Sequence, residues 1–488
     1  MQQRRTKIVA TIGPATWERP RLEEILRAGV DIVRLNFSHA NREKFAEIAA
    51  AVRDIAPSLG RPVAVLADLQ GPKIRTGKLK DGKPVMLVPG AECTITTDHT
   101  DGTAERLGTT YANLPADVRA GQRILLADGT KALEVISSTG TEVRCRVIVG
   151  GLLAEHQGIN LPGTDVSAPS LTEKDVDDLD FALSLKVDFI ALSFVRRPED
   201  VSALRRRIHD RGADVPIIAK IEKPEALEHI EAIVDETDAI MVARGDLGVE
   251  MPAEQVPVEQ KKLIERCNFA GKPVITATQM LESMVGSPQP TRAEASDVAN
   301  AIFDGTDAVM LSAETSIGKY PVDAVKMMAK IALAVEQASY DECRRDNQGG
   351  WQLNYDLVVP GLRRPGESDI GAAVADAAVS AAQRLCASEI AVFTISGATA
   401  MKVAKRRPAA IIYALTPTAE TYNRLALVWG VHPVQMALCE QTDRMLAQGE
   451  ELLLQKGMVQ KGDVVVIVSG AMPVRGATNL VEIRRLGA

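Results

Sequence analysis

The sequence predicts an α/β protein with a (β/α)8 TIM barrel, an all-β domain inserted in the barrel, and a C-terminal α/β domain. Eight short apolar runs alternate with helical stretches along the first two-thirds of the chain, and each run ends in polar residues. Such runs are typical of parallel strands buried on both faces. One interval between runs is long enough to hold a small domain, and a polar segment precedes the last third.

The predicted strands alternate with helices at a regular spacing. They begin at Lys7, Ile32, Val63, Phe189, Pro216, Ala239, Pro273 and Ala308. Pro20 is placed to open the first helix. Thr172 with Asp175, and Thr291 with Glu294, have the spacing of capping boxes at two later helices. Eight such units favour a closed barrel, and an open doubly wound sheet is the alternative.

The long interval between the third and fourth strands holds short β-rich runs broken by Gly, Asp and Pro. We predict a barrel domain of residues 1–71 and 170–345, an inserted domain of residues 72–169, called the lid below, and a domain of residues 346–488. The linker before the last domain is expected from Asp341 to Asp369. Because the lid follows a strand, we expect it over the C-terminal face of the barrel, where it can open and close.

Composition excludes several classes of function. The chain has 488 residues, 57 basic and 64 acidic, and a formal net charge of −7, so nucleic acid is not an expected partner. No apolar run is long enough for a membrane helix, and the first residues lack the apolar segment of a secretory signal. The six cysteines are scattered without a CxxC pair. We therefore expect free thiols in a reducing compartment, the cytoplasm.

Polar residues at the C-terminal ends of barrel strands point into the active site of this fold. In this chain they are Arg34, Asn36, Ser38, Asp68, Ser193, Lys220, Glu222, Arg244, Gly245, Asp246, Thr276, Thr278, Gln279, Ser312, Glu314 and Thr315.

Lys220 and Glu222 lie two residues apart on one strand and therefore share a face. They form either an internal salt bridge or a site in which Glu222 binds a metal ion and Lys220 meets substrate charge. Asp246 at the end of the next strand favours the metal, because paired carboxylates suit Mg2+. No His or Cys cluster points to zinc. Gly245 lets a ligand carboxylate approach the backbone N–H groups of Arg244–Asp246.

Two further groups extend this picture. Arg34 is either a clamp for phosphate or carboxylate or the partner of a barrel carboxylate. Asn36, Ser38 and Asp68 form either a hydrogen-bonded network or a monovalent-cation site. The residues by themselves predict a Mg2+-dependent barrel enzyme that acts on a phosphorylated and carboxylated small molecule beneath a lid.

The chain resembles the pyruvate kinase family from Thr6 to Ala488. The resemblance lies in TKIVATIGPAT, VRLNFSH, LQGPKIRTG, GINLPG, IAKIEKPEAL, IMVARGDLGVE, GKPVITATQMLESM, PTRAEASDVANAIFDGTDAVMLSAETSIGKYP and SGAMPVRGATN. It implies transfer of the phosphoryl group of phosphoenolpyruvate to ADP, giving ATP and pyruvate, the last step of glycolysis. It also implies an allosteric homotetramer.

The resemblance also implies a role for each candidate residue. The implied metal ligands are Glu222 and Asp246, which hold Mg2+ or, in its place, Mn2+. The implied substrate-binding residues are Arg34, Lys220, Ala243, Arg244, Gly245, Asp246 and Thr278. The implied catalytic residues are Lys220, Thr278, Arg34, Ser312 and Glu314, the last two supporting proton delivery through Thr278. The implied nucleotide contacts are Asn36, His39, Arg75 and Asp128.

One departure from the family concerns the monovalent-cation pocket, whose residues are Asn36, Ser38, Asp68 and Leu69. Lys73 stands where potassium-dependent members carry Glu, and Leu69-Gln70 stands where they usually have Thr-Lys. A lysine ammonium can supply the charge of the ion. We therefore predict a K+-independent member of the family in which Lys73 replaces the cation.

The last domain resembles the regulatory domain of the family. Ser396, Gly397 and Thr399, together with Arg475, are the candidate site for a phosphorylated effector, either a sugar phosphate or a nucleotide monophosphate. The alternative is that Ser396–Thr399 only caps a helix. Two alternative functions are weighed for the whole chain: a Mg2+-dependent carbon–carbon lyase of the phosphoenolpyruvate/pyruvate class, which lacks such a lid, and an inactive metabolite sensor.

Overall fold

A computed structural model describes residues 4–39, 41–345, 369–439, 441–470 and 478–487. The chain starts with three barrel strands and two helices. They are β1 (Lys7–Thr11), α1 (Arg19–Ala28), β2 (Ile32–Asn36), α2 (Arg42–Ile55) and β3 (Ala64–Asp68), with 3-10 turns at Phe37–His39 and Ala56–Leu59. Each of the three strands begins within one residue of its predicted start.

The lid is made almost entirely of β-structure. Its elements are β4 (Val85–Leu87), β5 (Glu92–Thr96), β6 (Arg106–Gly108), α3 (Leu114–Asp117), β7 (Arg123–Leu126), β8 (Lys131–Ser138), β9 (Glu142–Val149), β10 (Gly151–Leu153) and β11 (Ile159–Asn160), with a 3-10 turn at Lys80–Gly82. Strands β10 and β4 pair in one small sheet, and the other six follow the order β11-β7-β8-β9-β5-β6. A buried apolar cluster of lid residues alone gives this module its own core.

The chain then returns to complete the barrel. The elements are α4 (Glu173–Ser184), β12 (Phe189–Leu192), α5 (Pro198–Asp210), β13 (Ile217–Ile221), α6 (Pro224–Glu228), α7 (Ile230–Glu236), β14 (Ala239–Ala243), α8 (Arg244–Glu250), α9 (Val256–Phe269), β15 (Val274–Ala277), a 3-10 turn at Glu282–Val285, α10 (Arg292–Phe303), β16 (Ala308–Leu311), α11 (Ala313–Ser316) and α12 (Pro321–Arg345). All neighbouring strands are parallel, and the barrel closes in the order β1-β16-β15-β14-β13-β12-β3-β2. The predicted closed barrel is confirmed.

Local signals set the ends of several helices as predicted. Reciprocal capping-box hydrogen bonds are present at Thr172 and at Thr291. The expected linker start at Asp341 is wrong, because α12 continues to Arg345. The segment from Asp341 to Arg345 contains no Gly or Pro that would end a helix.

The C-terminal domain is the predicted α/β unit. Its elements are α13 (Ile370–Arg384), β17 (Glu389–Phe393), α14 (Ala398–Ala404), β18 (Ile411–Thr416), α15 (Ala419–Arg424), a 3-10 turn at Leu425–Leu427, β19 (Val431–Gln435), α16 (Thr442–Gln455), β20 (Val464–Gly470) and β21 (Thr478–Arg485). The sheet order is β19-β18-β17-β20-β21, with only β21 antiparallel. The sequence pattern identified β17, β18 and β20 and missed both edge strands, which carry Pro433 and several charged residues, respectively.

The C-terminal domain closes the N-terminal end of the barrel. Inward-facing residues of the strands, such as Val9, Ile32 and Phe189, form a buried apolar cluster that also contains Ala426 and Leu427 of the 3-10 turn. We call Ala426 and Leu427 the plug. Two domains therefore share the core inside the barrel.

Buried charges join the same two domains. The Lys405 ammonium donates to Asp307 Oδ2 at 2.6 Å and to Asn268 Oδ1 at 2.8 Å. The Arg407 guanidinium also pairs with Asp307 and lies 4.5 Å from the centre of the Trp429 ring. Because unpaired buried charges are costly, this cluster favours one docking geometry. Among the helices described, none is long and apolar enough to cross a membrane.

Candidate active site

The alternation of side chains along the barrel strands brings Arg34, Asp68 and Lys220 to the inner face near the C-terminal ends. Arg34 Nε donates to Asp68 Oδ2 at 2.6 Å, and Arg34 Nη1 donates to Thr11 Oγ1 at 2.9 Å. Arg34 therefore pairs with a barrel carboxylate, as one of its two interpretations predicts. Within the described residues its Nη2 has no hydrogen-bond partner, which leaves donors for a bound anion.

Lys220 lies at the centre of this group. Its ammonium donates to Ser193 Oγ at 2.7 Å and pairs with Glu222 Oε1 at 2.7 Å and Asp68 Oδ1 at 3.3 Å. Burial alone would lower the pKa of Lys220, but the carboxylates of Asp68 and Glu222 outweigh it and raise the pKa. The pKa of Asp68 is lowered, because Lys220 and Arg34 outweigh the effect of burial. Lys220 is thus a fixed positive charge.

Glu222 and Asp246 fit a divalent cation. Burial raises the pKa of Glu222, and the negative charge of Asp246 raises it further, against the opposing effect of Lys220. The carboxylates of Asp68, Glu222 and Asp246 all act electrostatically on Lys220, so these three negative charges lie close together. The described residues hold no group of three metal ligands, so water and substrate oxygens would complete the coordination.

Thr278 is held in a strained backbone conformation beside Gly245. Its φ is 68° and that of Gln279 is 54°, values that are rare for residues with side chains. Thr278 Oγ1 accepts a hydrogen bond from the Gly245 N–H at 2.7 Å. A Cβ on Gly245 would lie 3.4 Å from the same oxygen. The backbone at Gly245 thus approaches Thr278 closely, and binding of a carboxylate at Ala243 and Arg244–Asp246 stays a prediction.

The side chain of Arg244 supports this turn. Its guanidinium donates to the Thr278 carbonyl at 2.7 Å and pairs with Asp297 at 2.8 Å. Arg244 is thus directed at the segment after β15. Its backbone begins α8.

Ser312 and Glu314 follow β16, and Glu314 contacts the segment after Thr278. The Glu314 carboxylate accepts the N–H groups of Ser312 at 2.7 Å and Leu281 at 3.0 Å. Burial raises the pKa of Glu314. In the part of the chain that is described, the Ser312 hydroxyl is buried without a hydrogen-bond partner. An orphan hydroxyl beside a carboxyl of raised pKa suits a proton relay.

The monovalent-cation pocket stays a prediction, and its residues make hydrogen bonds within the protein. Asn36 Oδ1 accepts the Ser38 N–H at 3.2 Å, and the Leu69 carbonyl accepts from Ser193 Oγ at 2.7 Å. Lys73 lies elsewhere, along a cleft between lid and barrel that is lined by Lys73, Asp128, Asn160, Phe194, Lys223 and Asp246, among others. Among described residues it makes no ion pair, and Asp68 is neutralised by Lys220 and Arg34 instead.

The expected nucleotide contacts are divided between the lid, which carries Arg75 and Asp128, and the barrel. Arg75 Nη1 donates to the His156 carbonyl at 3.1 Å, and Asp128 lies exposed in a tight turn with a φ of 53°. Asp128 lines the cleft together with Asp246. Asn36 reaches the site from β2. The side chain of His39 lies outside the described residues.

The candidate effector site is a cavity of about 330 Å³ in the C-terminal domain. Ser396 and Thr399 line it, as do Lys402 and Thr478. Gly397 has a φ of 85° and precedes α14, and its N–H donates to Thr394 Oγ1 at 2.9 Å. Arg475 lies outside the described residues.

Some site residues were not found from the sequence. Thr11 contacts Arg34, and the Phe194 N–H donates to Glu222 Oε2 at 2.8 Å. The alternation along β1 could have placed Thr11 on the inner face, whereas a backbone donor leaves no trace in the sequence. Asn160 and Glu250, which join lid and barrel, are also new.

Comparisons with known proteins agree across the whole chain. Residues 3–325 match the model of the pyruvate kinase barrel domain, and residues 372–484 match that of the pyruvate kinase alpha/beta domain. A pyruvate kinase of Mycobacterium tuberculosis is 44% identical over 99% of both chains. One from Geobacillus stearothermophilus is 44% identical, over 99% of this chain and 80% of its own. The crystal structure of a pyruvate kinase from Cryptosporidium parvum superposes with a TM-score of 0.90 at 36% identity, covering 99% of this chain and 96% of that one.

Proposed function

The chain belongs to the pyruvate kinase family and is a phosphotransferase, and on that premise we propose that the cluster around Lys220 transfers the phosphoryl group of phosphoenolpyruvate to ADP. The observation that carries this proposal is the Lys220 ammonium, which lies between the carboxylates of Asp68 and Glu222. Arg34 pairs with the same Asp68 carboxylate. The bond between phosphorus and the enol oxygen breaks, and a bond to a β-phosphate oxygen of ADP forms. The enolate then takes a proton at carbon to give pyruvate.

Arg34 and Lys220 stabilise the charge that moves during this transfer. The free Nη2 donors of Arg34 suit the phosphoryl oxygens, and Lys220 lies where charge develops on the enolate oxygen. Phosphoryl transfer depends mainly on such positioning and electrostatics. The longest of the three Lys220 contacts, 3.3 Å to Asp68, is the one most easily exchanged for a substrate oxygen.

Family membership implies use of a divalent cation, typically Mg2+. We propose Glu222 and Asp246 as its protein ligands, and the closeness of these two carboxylates, by which the charge of Asp246 acts on Glu222, supports this assignment. When bound, the ion supplies positive charge that neutralises phosphoryl and enolate oxygens. Mn2+ is an expected substitute.

Thr278 is proposed to serve both the substrate carboxylate and the proton. Its hydroxyl meets the Gly245 N–H, so a carboxylate that binds at Arg244–Asp246 lies next to it. Protonation of the enolate carbon then runs through Thr278 and water, with Ser312 and Glu314 behind it. The raised pKa of Glu314 is consistent with a carboxyl that can carry this proton.

ADP is proposed to bind between the lid and the barrel. Arg75, Asn36 and His39 are the candidate contacts to its phosphates, and Asp128 is the lid residue that approaches on closure. The cavity in the cleft has a volume of about 40 Å³. That is smaller than the several hundred Å³ of a typical ligand site, and we propose that the lid lifts to admit a nucleotide.

Independence from K+ is a further proposal. Lys73 carries its positive charge on the lid side of the cleft, near Asp246. We propose that it replaces the monovalent ion, shifting from the cleft toward Asn36, Ser38 and Asp68 when substrate binds. The Lys73→Glu variant should then require K+, whereas the native enzyme should not.

We also propose three domains, formed by residues 1–71 with 170–345, by residues 72–169 and by residues 346–488. We further propose a homotetramer, a cytoplasmic location, and binding of a phosphorylated effector in the 330 Å³ cavity. Lys402 and the hydroxyls of Ser396 and Thr399 give that cavity donors for a phosphate. The effector proposal predicts that a sugar phosphate or a nucleotide monophosphate alters the phosphoenolpyruvate dependence of the rate.

A coupled assay tests the main proposal, with phosphoenolpyruvate, ADP and Mg2+, run with and without K+ at fixed ionic strength. Native enzyme should form pyruvate in both conditions, whereas activity only with K+ would reject the role of Lys73. Lys220→Met should abolish turnover, and Lys326→Met, an exposed lysine on α12, should be indistinguishable from the native enzyme. Absence of turnover in the native enzyme, even with candidate effectors, would favour the lyase or the sensor.

A further inference from the structure

A buried side-chain contact joins the lid to the rim of the barrel beside the cleft. The Asn160 side-chain amide on β11 donates to Glu250 Oε1 at 2.9 Å, and the Lys223 ammonium donates to the same oxygen at 2.5 Å. At the end of the lid, the Arg196 guanidinium of the barrel also donates to two backbone carbonyls of the lid. The contact of Asn160 with Glu250 is separate from these, beside the cleft. Asn160, Glu250 and Lys223 are called the latch below.

The position of Glu250 suggests a purpose beyond fold stability. It is the last residue of α8, where the negative end of the helix dipole disfavours a carboxylate. Its side chain is only 1% exposed, and in the part of the chain described its Oε2 has no hydrogen-bond partner. A buried, half-satisfied carboxylate at this end of a helix is costly.

The latch also connects to the site of phosphoryl transfer through the chain itself. Lys223 directly follows Glu222, and Glu250 lies at the opposite end of α8 from Asp246. The lid turn rests on the same helix, since a Cβ on Gly129 would lie 3.4 Å from Val249 Cγ1. Movement of the lid therefore acts on the elements that carry both proposed metal ligands.

We propose that Asn160, Glu250 and Lys223 form a positioning latch that closes the lid on α8 for phosphoryl transfer and opens to exchange nucleotide. The proposal rests on the proposed function of the cleft. In this proposal the latch breaks when the lid lifts to exchange nucleotide. Closure remakes it and fixes α8, and with it Asp246, against the substrate.

A swap of donor and acceptor tests the latch. N160D places a second carboxylate against Glu250, so we expect kcat/KM for ADP to fall roughly tenfold or more, in line with the loss of a hydrogen bond to a charged group. E250Q in the same chain restores one amide and one carboxylate and keeps the net charge, so N160D/E250Q should recover to within about threefold of the native enzyme. N113D is the matched control, because among described residues the Asn113 side chain hydrogen-bonds to Ser167, also a lid residue.

Hydrogen–deuterium exchange gives a readout that does not depend on activity. N160D should increase exchange at residues 158–160 and 244–250 with an unchanged melting temperature, and the double variant should restore protection. Native kcat/KM and native exchange in N160D would overturn the latch, as would a double variant no better than N160D. A native enzyme that forms no pyruvate while N160D alters exchange would reject the proposed function and leave the lid contact standing.

Discussion

Truncation of Leu427, a plug residue of the C-terminal domain, should destabilise the barrel domain. Leu427 is 1% exposed and packs with inward-facing strand residues, so Leu427→Ala removes three buried carbon atoms. At about 0.8 kcal/mol for each carbon this is roughly 2.4 kcal/mol. The cavity left behind brings the total to about 3 kcal/mol. That loss raises the unfolded fraction about a hundredfold.

The assay compares thermal loss of pyruvate formation, which reports the barrel, with far-UV circular dichroism. Leu427→Ala should lower the inactivation midpoint by roughly 6 to 12 °C. Leu427→Met, which keeps the volume, should cost less than about 1.5 kcal/mol. Leu453→Ala is the control, because Leu453 is equally buried but packs only within the C-terminal domain. Inactivation of Leu427→Ala at the native temperature, or no earlier than Leu453→Ala, would refute the reasoning.

Two other variants test the site and the electrostatics. Gly245→Ala should keep the native melting temperature, since its Cβ meets Thr278 Oγ1 at an ordinary 3.4 Å. It should raise KM for phosphoenolpyruvate roughly tenfold, because the added methyl group crowds the substrate carboxylate, and a native KM in steady-state kinetics would contradict this. Burial, aided by Asp463, raises the pKa of Glu389 from 4.5 to about 7. The folded state therefore binds this proton more tightly than the unfolded state does, and its stabilisation is complete below about pH 4.5 and lost as the pH rises through about 7. Glu389→Gln should raise the melting temperature relative to the native enzyme at about pH 8 and change it little at about pH 4.5, and an equal shift at both would refute the assignment.

The sequence predicted correctly where the barrel strands lie and which of their side chains share a face. Parallel strands buried on both faces must be continuously apolar, so their positions were visible, and spacing by two put Lys220 and Glu222 on one face. The contact of Arg34 with Asp68 was among the interpretations weighed, whereas its contact with Thr11 was not.

Contacts between distant segments, and the strands at the edges of sheets, could not be predicted from the sequence. The path of a flexible side chain such as Lys73 depends on the lid, and nothing local marks Asn160 as a partner of Glu250. The edge strand β21 is rich in charge because one edge faces solvent, which hides the usual strand signal. The plug escaped notice because an apolar 3-10 turn resembles any other buried turn.

The plug has a consequence for how the protein is made. Ala426 and Leu427 leave the ribosome after all eight barrel strands, yet they complete the apolar interior of that barrel. Until then the N-terminal end of the nascent barrel exposes its inward-facing apolar residues, and we expect this surface to bind chaperones and other unfolded chains. Catalytic competence therefore arrives late in synthesis, and a messenger truncated after the last barrel helix yields an aggregation-prone product rather than a smaller enzyme.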